Sequence, residues 1–221
     1  MSKKAVCIIS GGMDSALAAT IAQNEGYEII GLHFNYSQLT EERELKSYEK
    51  IVKDLGVVES YTLELPFFKK IGATALIGEE FSVPTDGVKP GIPITYVPFR
   101  NGVFLSIAAA VAQKHDADAI FIGVVEEDSS GYPDCRENFI TSINSSINLG
   151  LRDDSELKIE TPLIHLSKEE IVKKSLELGV KLEHTWSCYK NSDKACGVCD
   201  SCRLRKKGFE NLGLTDPIEY L

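Results

Sequence analysis

Five apolar residues, Ala5-Val6-Cys7-Ile8-Ile9, run straight into Ser10-Gly11-Gly12-Met13-Asp14-Ser15 and then into Ala16-Leu17-Ala18-Ala19-Thr20-Ile21-Ala22. The first run reads as a buried strand and the last as a helix of strong formers, with the glycines in the turn between them. A strand, a glycine turn and a helix start aim free backbone N–H groups and the positive end of a helix dipole at one point, which suits an anion. Gly11 and Gly12 let the backbone approach a ligand closely and reach positive φ, and Ser10 and Ser15 can add hydroxyl donors. Asp14 is an odd neighbour for a phosphate unless a divalent cation or an adenylate leaving group lies between them. No Lys follows the glycines, so this is not a Walker loop. The plainer alternative is an ordinary turn that caps a helix at Asp14 or Ser15.

Downstream, the chain repeats the strand–helix rhythm. Glu28 to Phe34 reads as a second buried strand, and Glu41 to Leu55 carries Leu45, Tyr48, Ile51, Val52 and Leu55 on one helical face with Gly56 as its C-cap. Val58 to Leu65 is a third strand. That order predicts an α/β fold with a doubly wound parallel sheet, right-handed crossovers and ligands at the carboxyl ends of the strands. Residues 66–98 interrupt the rhythm with five prolines and four glycines, as either a lid or binding segment or a floppy insertion. Then Arg100-Asn101-Gly102 leads into Val103 to Gln113, a helix apolar nearly all round and therefore buried. Arg100 and Asn101 at its amino end suit a phosphate or carboxylate, Asn101 as a plain helix cap being the alternative. Ala119 to Val125 is the fourth strand. The loop after it, from Glu126 to Arg136, packs acids, Tyr132 and Arg136 into a turn at the same edge of the sheet. Asn138 to Leu149 is helical, Leu157 to Pro162 extended, and Ser167-Lys168-Glu169-Glu170 a capping box that opens a helix closed by Gly179.

A length of 221 residues and 43 % hydrophobic content allow a full core. A net charge of −9 argues against a broad, sequence-independent grip on nucleic acid. No apolar run reaches spanning length and Met1-Ser2-Lys3-Lys4 has no signal-peptide plan, so a cytoplasmic protein without a membrane segment is expected. Four of the six cysteines, Cys188, Cys196, Cys199 and Cys202, are spaced C-x7-C-x2-C-x2-C. Two C-x2-C steps plus one thiolate can complete a tetrahedral S4 shell for one structural zinc. Cys202 is expected to open the basic helix Arg203-Leu204-Arg205-Lys206-Lys207. An iron–sulfur cluster is the rival, although the x3-C-P that completes the ferredoxin run is missing. A zinc knuckle for single-stranded nucleic acid is a second rival, with only Tyr189 and Phe209 to stack. The expected division is an α/β domain over 1–180 and a metal-binding helical segment over 181–221 packed on it.

The S-G-G-x-D-S string resembles the pyrophosphate loop of the enzymes that split ATP between its α and β phosphates. Together with Tyr96-Val97-Pro98-x-Arg100-Asn101, Ser130-Gly131-Tyr132-Pro133-Asp134-Cys135-Arg136, Thr161-Pro162-Leu163 and the four late cysteines, it resembles the 7-cyano-7-deazaguanine synthase family. The chain departs from that family's pattern at Leu39-Thr40, where Arg-His is common, at Phe99, where a small residue is usual, and in a first cysteine gap one residue short. The resemblance implies an adenine nucleotide alpha hydrolase-like, Rossmann-type fold. It also implies an ATP-dependent ligase that turns 7-carboxy-7-deazaguanine and ammonia into a nitrile through an adenylated acid and an adenylated amide. ATP with magnesium would lie on Ile8, Ile9, Ser10, Gly11, Gly12, Met13, Asp14, Ser15, Ala16, Leu17 and Ala18. Asp14 and Arg100 would be catalytic, and Arg100, Asn101, Asp128, Tyr132, Asp134 and Arg136 would read the substrate. The partners implied are small molecules, with no direct nucleic acid and a homodimer as the assembly. Another member of the same ATP-splitting superfamily, stopping at an amide or acting on tRNA, is the alternative, and a non-catalytic nucleotide-binding relative is a third reading.

Overall fold

The computed structural model describes residues 2–78, 80–87, 91–126 and 131–221. In chain order these form β1 (Lys4–Ile8), α1 (Met13–Asn24), β2 (Glu28–Asn35), α2 (Glu41–Leu55), β3 (Glu59–Glu64), α3 (Phe67–Ile71), α4 (Arg100–His115), β4 (Ala119–Ile122), α5 (Glu137–Gly150), β5 (Lys158–Glu160), α6 (Lys168–Glu177) and α7 (Asp200–Asn211). The five strands make one parallel sheet in the order β3-β2-β1-β4-β5. Val6 on β1 lies between Ile30 on β2 and Ile120 on β4. The order reverses at β1, so the turns that leave β1 and β4 open side by side at the carboxyl edge, where such sheets hold ligands.

Side chains along β1 alternate between two cores, as the twofold period of a strand requires. Ala5, Cys7 and Ile9 join α1, α2, α6 and α7 through Leu17, Ile51, Ile171 and Phe209. Val6 and Ile8 face the other way, toward α4 and α5 with Phe104, Leu105 and Ile140. The capping box is present, Ser167 Oγ accepting from Glu170 N at 3.3 Å while Ser167 N donates to Glu170 Oε2 at 2.9 Å. Gly56 sits in the left-handed region at φ 59 as the cap of α2.

The proline-rich stretch is packed rather than floppy over its described residues. It holds α3, buries Phe68, Leu76, Ile77, Val83 and Val97 in the second core, and pairs Ile77 with Gln38 in an antiparallel bridge.

Three expected boundaries are corrected. Helix α4 starts at Arg100 rather than Val103, because Phe99 turns left-handed at φ 54 and Asp134 Oδ2 accepts the Asn101 N–H at 2.9 Å. A carboxylate 33 residues away thus does the capping. Helix α7 opens at Asp200 with Cys199 as its N-cap, so Cys202 lies in its first turn instead of starting it. Strand β4 stops at Ile122, because Gly123 passes directly under the start of α1.

Residues beyond 181 close back over this edge. Trp186 N donates to Gly11 O at 2.8 Å, and Ala195 exchanges backbone bonds with Glu219 and Leu221. Arg205, 1 % exposed, grips Asp216 with Nε at 2.7 Å and Nη2 at 3.0 Å.

Candidate active site and metal centre

The glycine turn, the start of α4, the end of β4 and the 186–205 segment enclose a cavity of about 240 Å³. Its floor is the turn after β1. Gly11, at φ 91, has room for no side chain, since a Cβ there would stand 2.5 Å from the Glu44 carbonyl oxygen. Only glycine combines that close approach with that φ. Ser10 and Ser15 hold the turn shut by sharing a hydroxyl contact of 3.1 Å, while Ser15 Oγ donates to Gly12 O at 2.9 Å. No side chain caps α1, so the first-turn N–H groups and the dipole face the cavity. Gly123 makes the matching approach from β4. A Cβ on it would stand 2.7 Å from both Asp14 C and Ser15 N, so strand end and helix start touch backbone to backbone.

Of the residues expected to hold ATP, Ile8, Ile9, Ser10, Gly12, Met13, Asp14 and Ser15 line the cavity. Gly11 shapes the turn from behind, and Ala16, Leu17 and Ala18 point into the core. Asp14 Oδ2 pairs with Lys168 Nζ at 2.5 Å, and its Oδ1 is buried without a partner among the described residues. Asp14 beside a phosphate called for a divalent cation or an adenylate leaving group between them; Lys168 at the start of α6, whose capping-box motif gives no sign of this role, supplies a cation to Asp14 directly.

Arg100 lines the opposite wall. Its Nη1 donates to Tyr36 Oη at 3.1 Å, its guanidinium lies 5.6 Å from the Tyr36 ring centre and 5.7 Å from that of Phe104, and its buried Nε has no partner among the described residues. Burial works against its charge, but Tyr36, Tyr132, Asp134 and Cys135 around it outweigh that and raise its pKa. Burial lifts the Tyr36 hydroxyl to about 12 against the pull of Arg100, so both stay protonated at neutral pH. An orphaned N–H on a permanently charged fork is a donor for an anionic ligand.

The residues expected to read the substrate divide. Arg100, Asn101 and Tyr132 line the cavity, Tyr132 donating to Thr95 Oγ1 at 2.9 Å. Asp134 does not: it is buried, raised in pKa by that burial, and committed to the Asn101 N–H. Arg136 is exposed at the cap of α5 and outside the lining. Asp128 lies outside the described residues. Cys135, unexplained in the sequence, accepts from Asn101 Nδ2 at 3.3 Å and lines the cavity, with burial raising its thiol to about 12.

The lining also holds Glu44, which the sequence left on the polar face of α2. Burial pushes its carboxyl up to about 7, although Thr40 Oγ1 donates to it at 2.7 Å and Gln38 Nε2 at 3.1 Å.

The four late cysteines meet with their sulfurs within 4.8 Å of one another, Cys196 and Cys202 at 4.0 Å. A tetrahedral S4 shell at Zn–S of about 2.3 Å needs sulfurs roughly 3.8 Å apart, so the set fits such a metal with little movement. Backbone N–H groups of Lys190, Asn191 and Cys196 point at Cys188 Sγ at 3.3–3.4 Å, and Cys199 N at Cys196 Sγ at 3.4 Å. Such donors orient thiolate ligands. The cluster borders the cavity without lining it, while Trp186, Ser187, Tyr189, Ser201 and Arg205 from the same segment form the wall.

A model of a family described as queuosine biosynthesis protein QueC matches residues 4–213. A Sulfurovum protein named 7-cyano-7-deazaguanine synthase is 62 % identical over 100 % of this chain and 99 % of its own length. Proteins of the same name from Nautilia profundicola and Nitratiruptor are 62 % and 59 % identical over 98 % or more of both chains. Among solved structures, a 4-thiouridine synthetase bound to RNA and ATP superposes with a TM-score of 0.54 at 20 % identity, over 96 % of this chain and 50 % of that one. A predicted tRNA methyltransferase subunit from Methanocaldococcus jannaschii gives 0.51 at 17 %, over 99 % and 92 %. These last two show the fold and no more.

Proposed function

The chain belongs to the QueC family of queuosine biosynthesis proteins, and on that premise we propose that it is an ATP-dependent ligase making 7-cyano-7-deazaguanine from 7-carboxy-7-deazaguanine and ammonia. The observation that carries this reading is a single cavity with an uncapped helix start and the Asp14–Lys168 pair on one wall and the orphaned Arg100 donor on the other.

The chemistry needs an oxygen to leave a carboxylate and then an amide, and oxygen is a poor leaving group from both. Adenylation converts it into a phosphate monoester each time, so one site can serve two rounds. The substrate carboxylate attacks the α phosphorus of ATP and pyrophosphate departs. Ammonia displaces AMP to leave the amide, whose oxygen takes a second adenylyl group, and loss of AMP gives the nitrile. The α1 start and the Ser10–Ser15 turn hold the leaving pyrophosphate, with Lys168 offsetting its charge. Arg100 faces the α phosphate or the substrate carboxylate. Magnesium carried with ATP would neutralise part of the triphosphate charge, and Asp14 Oδ1, buried and unpartnered, is the donor present for it. The deazaguanine lies between the aromatic walls supplied by Tyr36, Phe104, Tyr132 and Tyr189.

The cysteine set holds one structural zinc, closed to substrate because all four positions are thiolates. The 1–180 part carries the chemistry and the 181–221 part supplies a wall. The net charge of −9 supports small-molecule partners rather than direct nucleic acid. No helix is long and apolar enough to cross a membrane among the described residues. A homodimer is the assembly this reading carries. Ile71, Ile92 and Phe99, each more than half exposed, are apolar surface it could cover, and sedimentation velocity tests it.

Mass spectrometry of a reaction containing 7-carboxy-7-deazaguanine, ATP, Mg²⁺ and ammonium tests the activity. A nitrile with two AMP per product is expected. An amide with one AMP would place the chain with the one-step synthetases, and ADP with orthophosphate would refute the reading.

A further inference from the structure

We propose that Glu44 is the proton acceptor that lets ammonia become first an amide and then a nitrile, an inference that rests on the reading above. Among the described residues two carboxylates line the cavity, Asp14 and Glu44. Asp14 is paired with Lys168 at 2.5 Å, so its charge is already answered. Glu44 has only neutral donors on its two oxygens, Thr40 Oγ1 on one and Gln38 Nε2 on the other. Gln38 cannot turn its amide around, because its Oε1 accepts the Tyr36 N–H at 2.8 Å. These two bonds aim the carboxylate while leaving each oxygen a further lone pair.

The charged and titratable groups that bear on Glu44 are Glu41 on its own helix, Tyr36 at the end of β2 and Arg100 at the start of α4. Arg100 favours the carboxylate and Glu41 opposes it, and burial, the largest influence, leaves the group near neutrality, where a general base works best.

Both nitrogen steps release a proton. When the lone pair of ammonia attacks the acyl carbon of the adenylated acid, a C–N bond forms and the nitrogen becomes cationic. Glu44 takes one proton from it, the C–O bond to AMP breaks, and AMP leaves with the bonding pair. In the second round adenylation of the amide oxygen leaves the nitrogen cationic with two protons; one goes to the departing pyrophosphate and the other to Glu44, the freed N–H pair completes the C≡N bond, and AMP again carries away the C–O electrons. Between rounds the carboxyl returns its proton to solvent. Asp14, already bonded to Lys168 at 2.5 Å, is the less suited of the two to take that proton.

The test is Glu44→Gln, which keeps size and polarity. Two quantities are read: nitrile formation at fixed free ammonia across pH 5.5–8.5, and substrate-dependent exchange of labelled pyrophosphate into ATP. Nitrile formation should fall by about 10²-fold or more, and the rise of rate through about pH 7 expected of the unaltered protein should vanish. Exchange, which involves no ammonia, should fall no more than about threefold, a limit well inside the ten-fold that 1.4 kcal/mol represents. Glu44→Asp keeps the base one methylene shorter and should retain the pH limb at a reduced rate. Nitrile formed by Glu44→Gln at an unaltered rate overturns the proposal, as does exchange lost in parallel, which would make Glu44 a binding group. If the unaltered protein itself shows no substrate-dependent exchange, the parent reading fails instead.

Discussion

Replacing Asp216 by Ala should loosen the whole wall that the late residues put over the cavity. Arg205 and Asp216 are 1 % and 5 % exposed, joined by two bonds of 2.7 and 3.0 Å. Arg205 spends its other donors on Thr185 Oγ1 at 2.7 Å, Ser187 Oγ at 3.3 Å and Leu182 O at 3.0 Å. Without the carboxylate those neutral acceptors remain and a buried positive charge stands unanswered. Removing one partner of such a pair costs about 3–5 kcal/mol. With unfolding entropy near 2.1 cal/mol/K per residue, a chain of this length loses about 7–11 °C in Tm. The loss should reach the nucleotide too, because the 182–187 stretch that Arg205 braces carries the Trp186 N–H bonded to Gly11 O. Differential scanning calorimetry and ATP titration check both effects. The double variant Arg205→Met with Asp216→Leu should recover at least half of the lost stability, since it removes both charges. A Tm shift of the single variant below about 2 °C, or a double variant no better than the single, would show that desolvated charge is not what holds this segment.

Lys168→Met should lower turnover by about 10²-fold while Tm moves little, and steady-state rates within twofold of the original protein would remove Lys168 from the site. In Gly123→Ala the new Cβ meets the backbone of Asp14 and Ser15 at 2.7 Å, atoms that cannot swing aside. Overpacking of that kind costs about 1–3 kcal/mol and should weaken ATP binding by displacing the start of α1, which isothermal titration would detect. A strong chelator should strip one metal ion per chain, change the fluorescence of the single Trp, Trp186, and reduce ATP affinity. Elemental analysis finding iron would replace zinc in that account, and unaltered fluorescence after stripping would uncouple the metal from the wall.

The strand–helix rhythm and the glycine turn were legible because they are written in adjacent residues. Apolar runs, helix formers and two glycines lie within 22 positions, and no distant contact is needed to interpret them. The cysteine cluster was legible for a related reason: thiolates at C-x2-C spacing have few uses besides a shared metal. What escaped was everything decided across long separations. Lys168 reaches Asp14 over 154 residues, and nothing near either residue advertises the pair. Asp134 looked like a base-reading acid because it sits in a turn at the ligand edge, yet the fold uses it to cap α4. Glu44 was hidden by a sound rule. On an amphipathic helix a charge off the apolar stripe belongs to solvent, but the first turns of α2 run beside the cavity, so one side of its polar face looks inward.

The two ends of the chain depend on each other in one direction more than the other. The turn after β1 is bonded at Gly11 to Trp186 and at Asp14 to Lys168, so its shape is set by segments made more than 150 residues later. Those segments have their own anchors: a capping box for α6, a buried ion pair for Arg205 and the four sulfurs around Cys188. Of these, only the sulfur set needs a further partner to act as an anchor, since four sulfurs near 4 Å hold together as thiolates only when a cation displaces their protons. A metal that never meets the substrate would therefore govern how well the nucleotide turn is formed. Its effect should appear in KM for ATP before it appears in the rate at saturation, because the bond from Trp186 supports the turn proposed to bind ATP and touches no reacting atom.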